Sequence, residues 1–285
     1  MSLSKRFAPC QRTLQSVLTV VLLTTGLGAC SWLPDKIDTT EGWSVSRLYS
    51  EAKDELNSGN YETAIKYFEK LQARYPFGRY AQQAQLELIY AYYKSDEPDA
   101  AIAAADRFIR TYPRNPFVDY AYYLKGIVNF SRGSGFAERI FPNDPTQTDT
   151  STTLQSFNDF SELVRKFPQS KYAEDAKQRM LFLRNNLAAY EVRVANYYIR
   201  RKAYVAAVNR AKYVLMTYPR TPAVADALAA MTRAYVAMDM MGLAQDSLRV
   251  LTLNHPDSSA IPELRALIDG TPPPKKPFSL FAKGF

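Results

Sequence analysis

Cysteine is nearly absent from this chain. Cys10 and Cys30 are its only two in 285 residues, so nothing beyond residue 30 can form an internal disulfide, and a fold built there rests on its apolar core. Histidine is scarcer still: His255 stands alone, which argues against a metal site and against a histidine-based nucleophile relay. No phosphate-cradling or dinucleotide-binding glycine motif occurs. Gly133-Ser134-Gly135 lacks the spacing of a nucleophile elbow. No stretch alternates apolar and polar residues long enough to argue a sheet. After residue 29 no apolar run is long enough to span a bilayer. Basic residues are spread rather than gathered in a stripe, which speaks against nucleic acid as a partner. The carboxylates Asp159, Glu162 and Asp175 read as solvated helix faces. The reading is a non-enzymatic chain with no catalytic residue, metal or cofactor.

The N-terminus is informative. Lys5, Arg6 and Arg12 precede a short apolar core from Val17 to Leu23, and small residues then lead to Leu27-Gly28-Ala29-Cys30. This is the layout of an export signal over residues 1–29. Its last four residues resemble a bacterial lipobox, whose cysteine is acylated and becomes the new N-terminus. Ser31 follows instead of the aspartate that retains such proteins at the inner membrane. The resemblance implies a lipid anchor at Cys30, with residues 30–44 as tether, on the periplasmic face of an outer membrane. Loss of the leader's three basic residues leaves 33 basic against 28 acidic residues, a net charge of +5 on 256 residues.

Those residues repeat. Tyr75-Pro76, Tyr112-Pro113, Phe167-Pro168, Tyr218-Pro219 and His255-Pro256 are spaced by 37, 55, 51 and 37 residues. Twelve residues before each proline stands a small residue: Ala64, Ala101, Ser156, Ala207 and Ala244. In the first unit Leu48, Tyr49, Ala52 and Leu56 share one helical face, and Asn57-Ser58-Gly59-Asn60 breaks the helix. Tyr61, Ala64, Ile65, Phe68 and Leu71 then mark a second helix, which Pro76 stops. The spacing Gly59, Tyr61, Ala64, Phe68, Pro76 resembles the tetratricopeptide repeat. It predicts an all-α fold, a right-handed superhelix of five such helix pairs.

The two long spacings have separate readings. Ser131 to Thr153 holds a turn-rich insertion between the helices of the third pair. Tyr172, Ala176, Met180, Leu183 and Leu187 predict a long helix, or a helix pair, joining the third and fourth repeats. Ile261 to Ile268 reads as a short capping helix, and Thr271 to Phe285 as a proline- and lysine-rich tail. The expected division is therefore 45–169 for repeats one to three, 170–258 for the connecting helix and repeats four and five, and 259–285 for cap and tail.

A solenoid of helix pairs lines its concave face with the first helix of each pair. By register Ile89 points to the core while Tyr90, Tyr93 and Lys94 point to the groove, with Tyr123 on the next first helix. Tyrosine supplies rigid contact area with a polar tip. Packing between repeats is the competing role for the same aromatics. Arg210 lies on the flank of its helix turned from the core, suited to a carboxylate partner or to plain solvation.

The lipobox, the five repeats and several stretches together resemble the BamD family, the tetratricopeptide lipoprotein subunit of the outer-membrane β-barrel assembly machinery. Those stretches are Arg74-Tyr-Pro-Phe-Gly-Arg-Tyr-Ala-Gln-Gln-Ala-Gln-Leu-Glu-Leu-Ile-Tyr-Ala-Tyr-Tyr-Lys94, Asp106-Arg-Phe-Ile-Arg110, Phe157 to Arg165 and Ala206 to Arg210. The resemblance implies a non-catalytic scaffold whose front repeats receive the aromatic-ended segment of unfolded outer-membrane proteins. Its rear repeats would dock the periplasmic domains of the barrel-forming subunit beside other assembly lipoproteins, with Arg210 in that contact. The competing assignment is a periplasmic repeat lipoprotein that coordinates envelope or division complexes, of the Tol-Pal or peptidoglycan-associated kind. The insertion around Phe141 to Asp149 and the tail depart from the family's pattern.

Overall fold

A computed structural model describes residues 38–132 and 150–272. Cys30 and most of its tether, most of the 131–153 insertion, and the tail beyond residue 272 lie outside the described residues. Two compact units divide the chain at Ser44 and Val45. In the first, the Asp38 carboxylate accepts bonds from the Thr40 amide (3.0 Å) and hydroxyl (2.6 Å), closing a local turn.

Every regular element among the described residues of the second unit is an α-helix. Its elements are α1 Val45–Asn57, α2 Tyr61–Arg74, α3 Arg79–Lys94, α4 Pro98–Thr111, α5 Val118–Arg132, α6 Ser151–Lys166, α7 Ala173–Arg200, α8 Tyr204–Thr217, α9 Ala223–Ala237, α10 Met241–Asn254 and α11 Ile261–Ile268. Contacts run between neighbours: α1 packs on α2, α3 on α4, α5 on α6, α7 on α8 and α9 on α10. First helices of successive pairs also touch, α1 with α3, α3 with α5 and α7 with α9. This is the all-α superhelix of five helix pairs that the repeat predicts, closed by α11 against α9 and α10.

The pre-proline residues do one job five times. Tyr75, Tyr112, Phe167, Tyr218 and His255 each leave the helical region at the end of a second helix. Each amide donates to the carbonyl four residues back, on Leu71, Phe108, Leu163, Val214 and Leu251. The following proline disfavours helical geometry at the residue before it, so every second helix stops at the same point. The five small residues are all fully buried, and so are those five carbonyl-bearing residues. Small side chains at one level and large ones two turns later let the paired helices approach and then fill the gap.

The surplus between the third and fourth prolines forms the single helix α7, 28 residues long. It belongs to two cores. Ala176 and Leu183 in its first half join Phe160, Leu163, Phe108 and Ile89, while Ala188, Val192 and Ala195 in its second half join Ala211, Val214 and Ala227.

One sequence expectation fails here. Asp159 is not a solvated carboxylate; it is 4% exposed. Asn129 donates to it at 2.7 Å and Gln155 at 3.1 Å, and the Lys125 ammonium lies 3.5 Å away. Burial pushes its carboxyl above the ordinary value, against the pull of those donors and of the Lys125 charge. Lys125 also bonds Asp106 at 2.8 Å, so the charge cluster ties α4, α5 and α6 together.

Candidate functional site

The first helices of the front pairs carry a ladder of aromatic and paired polar side chains. Between α1 and α3, Tyr49 meets Tyr80 with ring centroids 5.3 Å apart, and the Lys53 ammonium is bonded to Glu87. Between α5 and α7, Tyr172 stacks on Tyr123 at 4.7 Å and on Tyr120 at 5.3 Å. Tyr120 is buried enough that its phenol is held well above the ordinary value, with the neighbouring phenols Tyr172, Tyr90 and Tyr123 and the Glu87 charge adding to that. Tyr90 therefore belongs to this group.

The ladder continues along α7. The Tyr123 hydroxyl donates to Asp175 at 2.8 Å, and Arg179 donates to the same oxygen at 2.6 Å. Burial alone would raise the Asp175 carboxyl, but the bonds from Arg179 and Tyr123 and the Arg179 charge outweigh it and hold the group below its ordinary value. The Arg179 guanidinium sits 5.0 Å from the Phe130 ring, which in turn meets the exposed Phe182 at 5.9 Å. Such a surface gives broad contact to aromatic and aliphatic side chains and fixed polar tips to backbone groups.

The residues expected in the groove fall into two adjoining places. Tyr90 and Tyr123 lie in the ladder and pack on the front core. Tyr93 and Lys94, one turn further along α3, line a separate hollow of about 310 Å³ with Asp96, Pro98, Ser131 and Arg132. Lys94 is exposed, its ammonium 5.7 Å from the Tyr61 ring, and Arg132 pairs with Asp99 at 3.0 Å. Ile89 is fully buried, as its register requires. The third tyrosine of α3, Tyr92, turns the other way and donates to Glu69 on α2 at 2.6 Å.

Sequence reasoning missed Tyr120, Tyr172, Asp175 and Arg179. Tyr172 and Tyr80 each stand four residues after a repeat-ending proline, Pro168 and Pro76, so an aromatic near the start of a first helix was a readable signal. The Asp175–Arg179 pair at i, i+4 was readable as helix support, but not as Tyr123's anchor.

Arg210, on α8, is half exposed and already has a partner within the chain: Glu191 on α7, at 3.1 Å. Burial acts to lower its guanidinium, but the Glu191 charge and bond more than offset that. Among the described residues no group of three or more His, Cys, Asp or Glu side chains could hold a metal ion. No described helix is long and apolar enough to cross a membrane.

Known proteins resemble this chain in sequence. A protein of Neisseria meningitidis serogroup B called outer membrane protein assembly factor BamD is 43% identical over 248 residues, covering 86% of this chain and 93% of the relative. The protein of the same name from Vibrio cholerae serotype O1 is 37% identical over 243 residues, covering 85% of this chain and 98% of the relative. Among solved structures the tetratricopeptide domain of P58(IPK) superposes at a TM-score of 0.38 with 15% identity, over 79% of this chain and 55% of that one, too loosely to bear on function. The profile of a family described as YfiO, outer membrane lipoprotein, matches residues 42–251, which span the five helix pairs up to the last turn of α10. With that match across the repeats and relatives this similar over nearly their whole length, the chain belongs to the YfiO family of outer membrane lipoproteins.

Proposed function

We propose that this protein is an assembly factor of the outer membrane that works by binding alone. Anchored through an acylated Cys30 on the periplasmic face, it receives an extended, aromatic-ended segment of an unfolded outer-membrane protein on its front repeats. Its rear repeats dock the periplasmic domains of the barrel-forming subunit. The name shared by its relatives supports the process, and the chain's own ladder supports the front site. The single observation that carries this reading is the tyrosine stack Tyr120–Tyr172–Tyr123, beside Tyr90 and next to a hollow edged by Lys94 and Arg132. Apolar and aromatic side chains of an extended peptide would lie on the ladder. A terminal carboxylate would reach the two cations in the hollow.

Arg210 serves the rear contact as one half of an ion pair. Because Glu191 already holds the guanidinium, a partner carboxylate would share it rather than meet a bare cation, and the pair's fixed geometry presents it ready-oriented. Coordination of Tol-Pal or division complexes finds no support in the relatives' names.

The test is photo-crosslinking of the full chain to a labelled decapeptide ending in phenylalanine with a free carboxylate. Tyr90→Ala with Tyr93→Ala is expected to lower crosslinking about tenfold, equivalent to about 1.4 kcal/mol of binding, and amidating the peptide should weaken it in the unmutated chain. Crosslinking unchanged by both would overturn the front-site reading. A melting curve shows whether the double variant is folded.

A further inference from the structure

The rear repeats contain a second groove, lined neither by the tyrosine ladder nor by Arg210. It holds about 580 Å³ between residues 185–196 of α7 and the stretch 222–233 that opens and forms most of α9, with Ala260 also in its lining. Its floor is small and apolar: Ala189, Val192, Ala223 and Ala229. Polar side chains form its walls. Asn185, Asn186, Arg193 and Asn196 project from one face of α7, and Asp226 and Arg233 face them from α9.

These polar groups differ from those of the front face in one respect. At the front, Tyr123, Asp175, Arg179, Lys53 and Glu87 bond one another. In the rear groove, Asn186, Asn196 and Asp226 make no side-chain hydrogen bond or ion pair among the described residues. Arg193 has only the Tyr190 ring, 5.8 Å away. Only Arg233 is spent, on Glu263 at 3.0 Å. Asn185 goes further: its amide oxygen is buried without a partner. A buried acceptor left unpaired is costly, and such groups call for an explanation.

Three amides along three turns of one helix, above a floor of alanines, suit an extended peptide backbone. The Asn186 and Asn196 amides can each accept from a peptide N–H and donate to a peptide carbonyl, and the alanines leave room for a chain. Arg193, without a carboxylate of its own, suits a single acidic side chain, while Asp226 on the opposite wall disfavours a run of acids. We infer that this groove binds an extended segment of a partner protein in which one Asp or Glu is flanked by small neutral residues.

The experiment uses fluorescence anisotropy of the full chain in detergent with a labelled Gly-Ser-Ala-Glu-Ala-Ser-Gly peptide and its Glu→Gln and Glu→Lys counterparts. Saturable binding of the Glu peptide, at least tenfold tighter than the Lys peptide, is expected. Arg193→Gln, a change on an exposed position, should remove that preference, and Asn196→Ala should weaken all three peptides together. Tyr90→Ala with Tyr93→Ala should leave every value unchanged. Equal binding of the Glu and Lys peptides, a preference that survives Arg193→Gln, or loss of binding in the tyrosine variant would each overturn the inference. The last outcome would move the peptide to the front face and leave the proposed function standing.

Discussion

At Gly126 a single methyl group decides how closely two helices can approach. A Cβ built there would lie 2.5 Å from the Phe160 ring, which is itself fully buried. One turn of α6 earlier, the Ser156 hydroxyl donates to the Gly126 carbonyl at 3.0 Å, so the backbone is pinned at this distance. Gly126→Ala should therefore destabilise the protein by about 1–3 kcal/mol through overpacking, although alanine is the better helix former. A thermal melt followed by circular dichroism should show the midpoint fall by roughly 2–4 °C per kcal/mol; an unchanged or raised midpoint would mean that Phe160 moves aside freely. The small residue at position 156 was legible from its place in the repeat. Gly126 was not, because its partner lies 34 residues away across an insertion. Asp159 was misread for the same reason. Its pattern on α6 is that of a polar helix position, and only Lys125, Asn129 and Gln155 converging on it make burial of a carboxylate tolerable.

The elements show how far a repeat can be read. Gly59, Asp96, Lys202 and Asp239 each stand two residues before a second helix, and each has a left-handed backbone with φ between 59° and 83°. The next residue's amide reaches back five positions, as from Asn60 to Glu55 and from Ala203 to Tyr198, which closes a Schellman turn. Glycine adopts this geometry without strain, aspartate with little, and lysine at a cost of about 1–2 kcal/mol. Lys202→Gly is therefore predicted to raise stability by roughly 1 kcal/mol, read as a higher urea midpoint at unchanged slope. A lower midpoint would show that the lysine side chain contributes more than its backbone costs. Gly59 announced its turn in the sequence. The other three could be placed only by aligning the proline-terminated units, since neither Asp nor Lys signals a left-handed residue by itself. The long helix α7 was legible from its apolar spacing, but the choice of one helix over two was not, because both have the same period.

For the whole molecule the question is what the stacked pairs hold, and where. Anchoring and docking can be read from one preparation. If the proposed acylation of Cys30 is the anchor, Cys30→Ala should move the protein from the outer-membrane to the soluble fraction, since acyl chains at about 0.8 kcal/mol per buried methylene would supply that attachment. Arg210→Glu should keep the membrane location but lose co-purification of the barrel-forming subunit, because it places two carboxylates together at Glu191. Continued outer-membrane fractionation of the first variant, or an intact complex with the second, would refute the corresponding reading. Helix content, the five-pair rhythm, the helix stops and the small buried positions were determined by the sequence by itself. Each is a local or fixed-period property: a proline acts on the residue before it, and an alanine repeats at one level of every pair. The tertiary structure alone decided which side chains share a surface. Tyr123 joins Tyr172 and Asp175 from 49 and 52 positions away. Lys94 parts from the ladder that Tyr90 enters, and Asn185 and Asn196 come to face Asp226 across a groove. Those meetings depend on how one pair stacks on the next, and no period within a single helix specifies that.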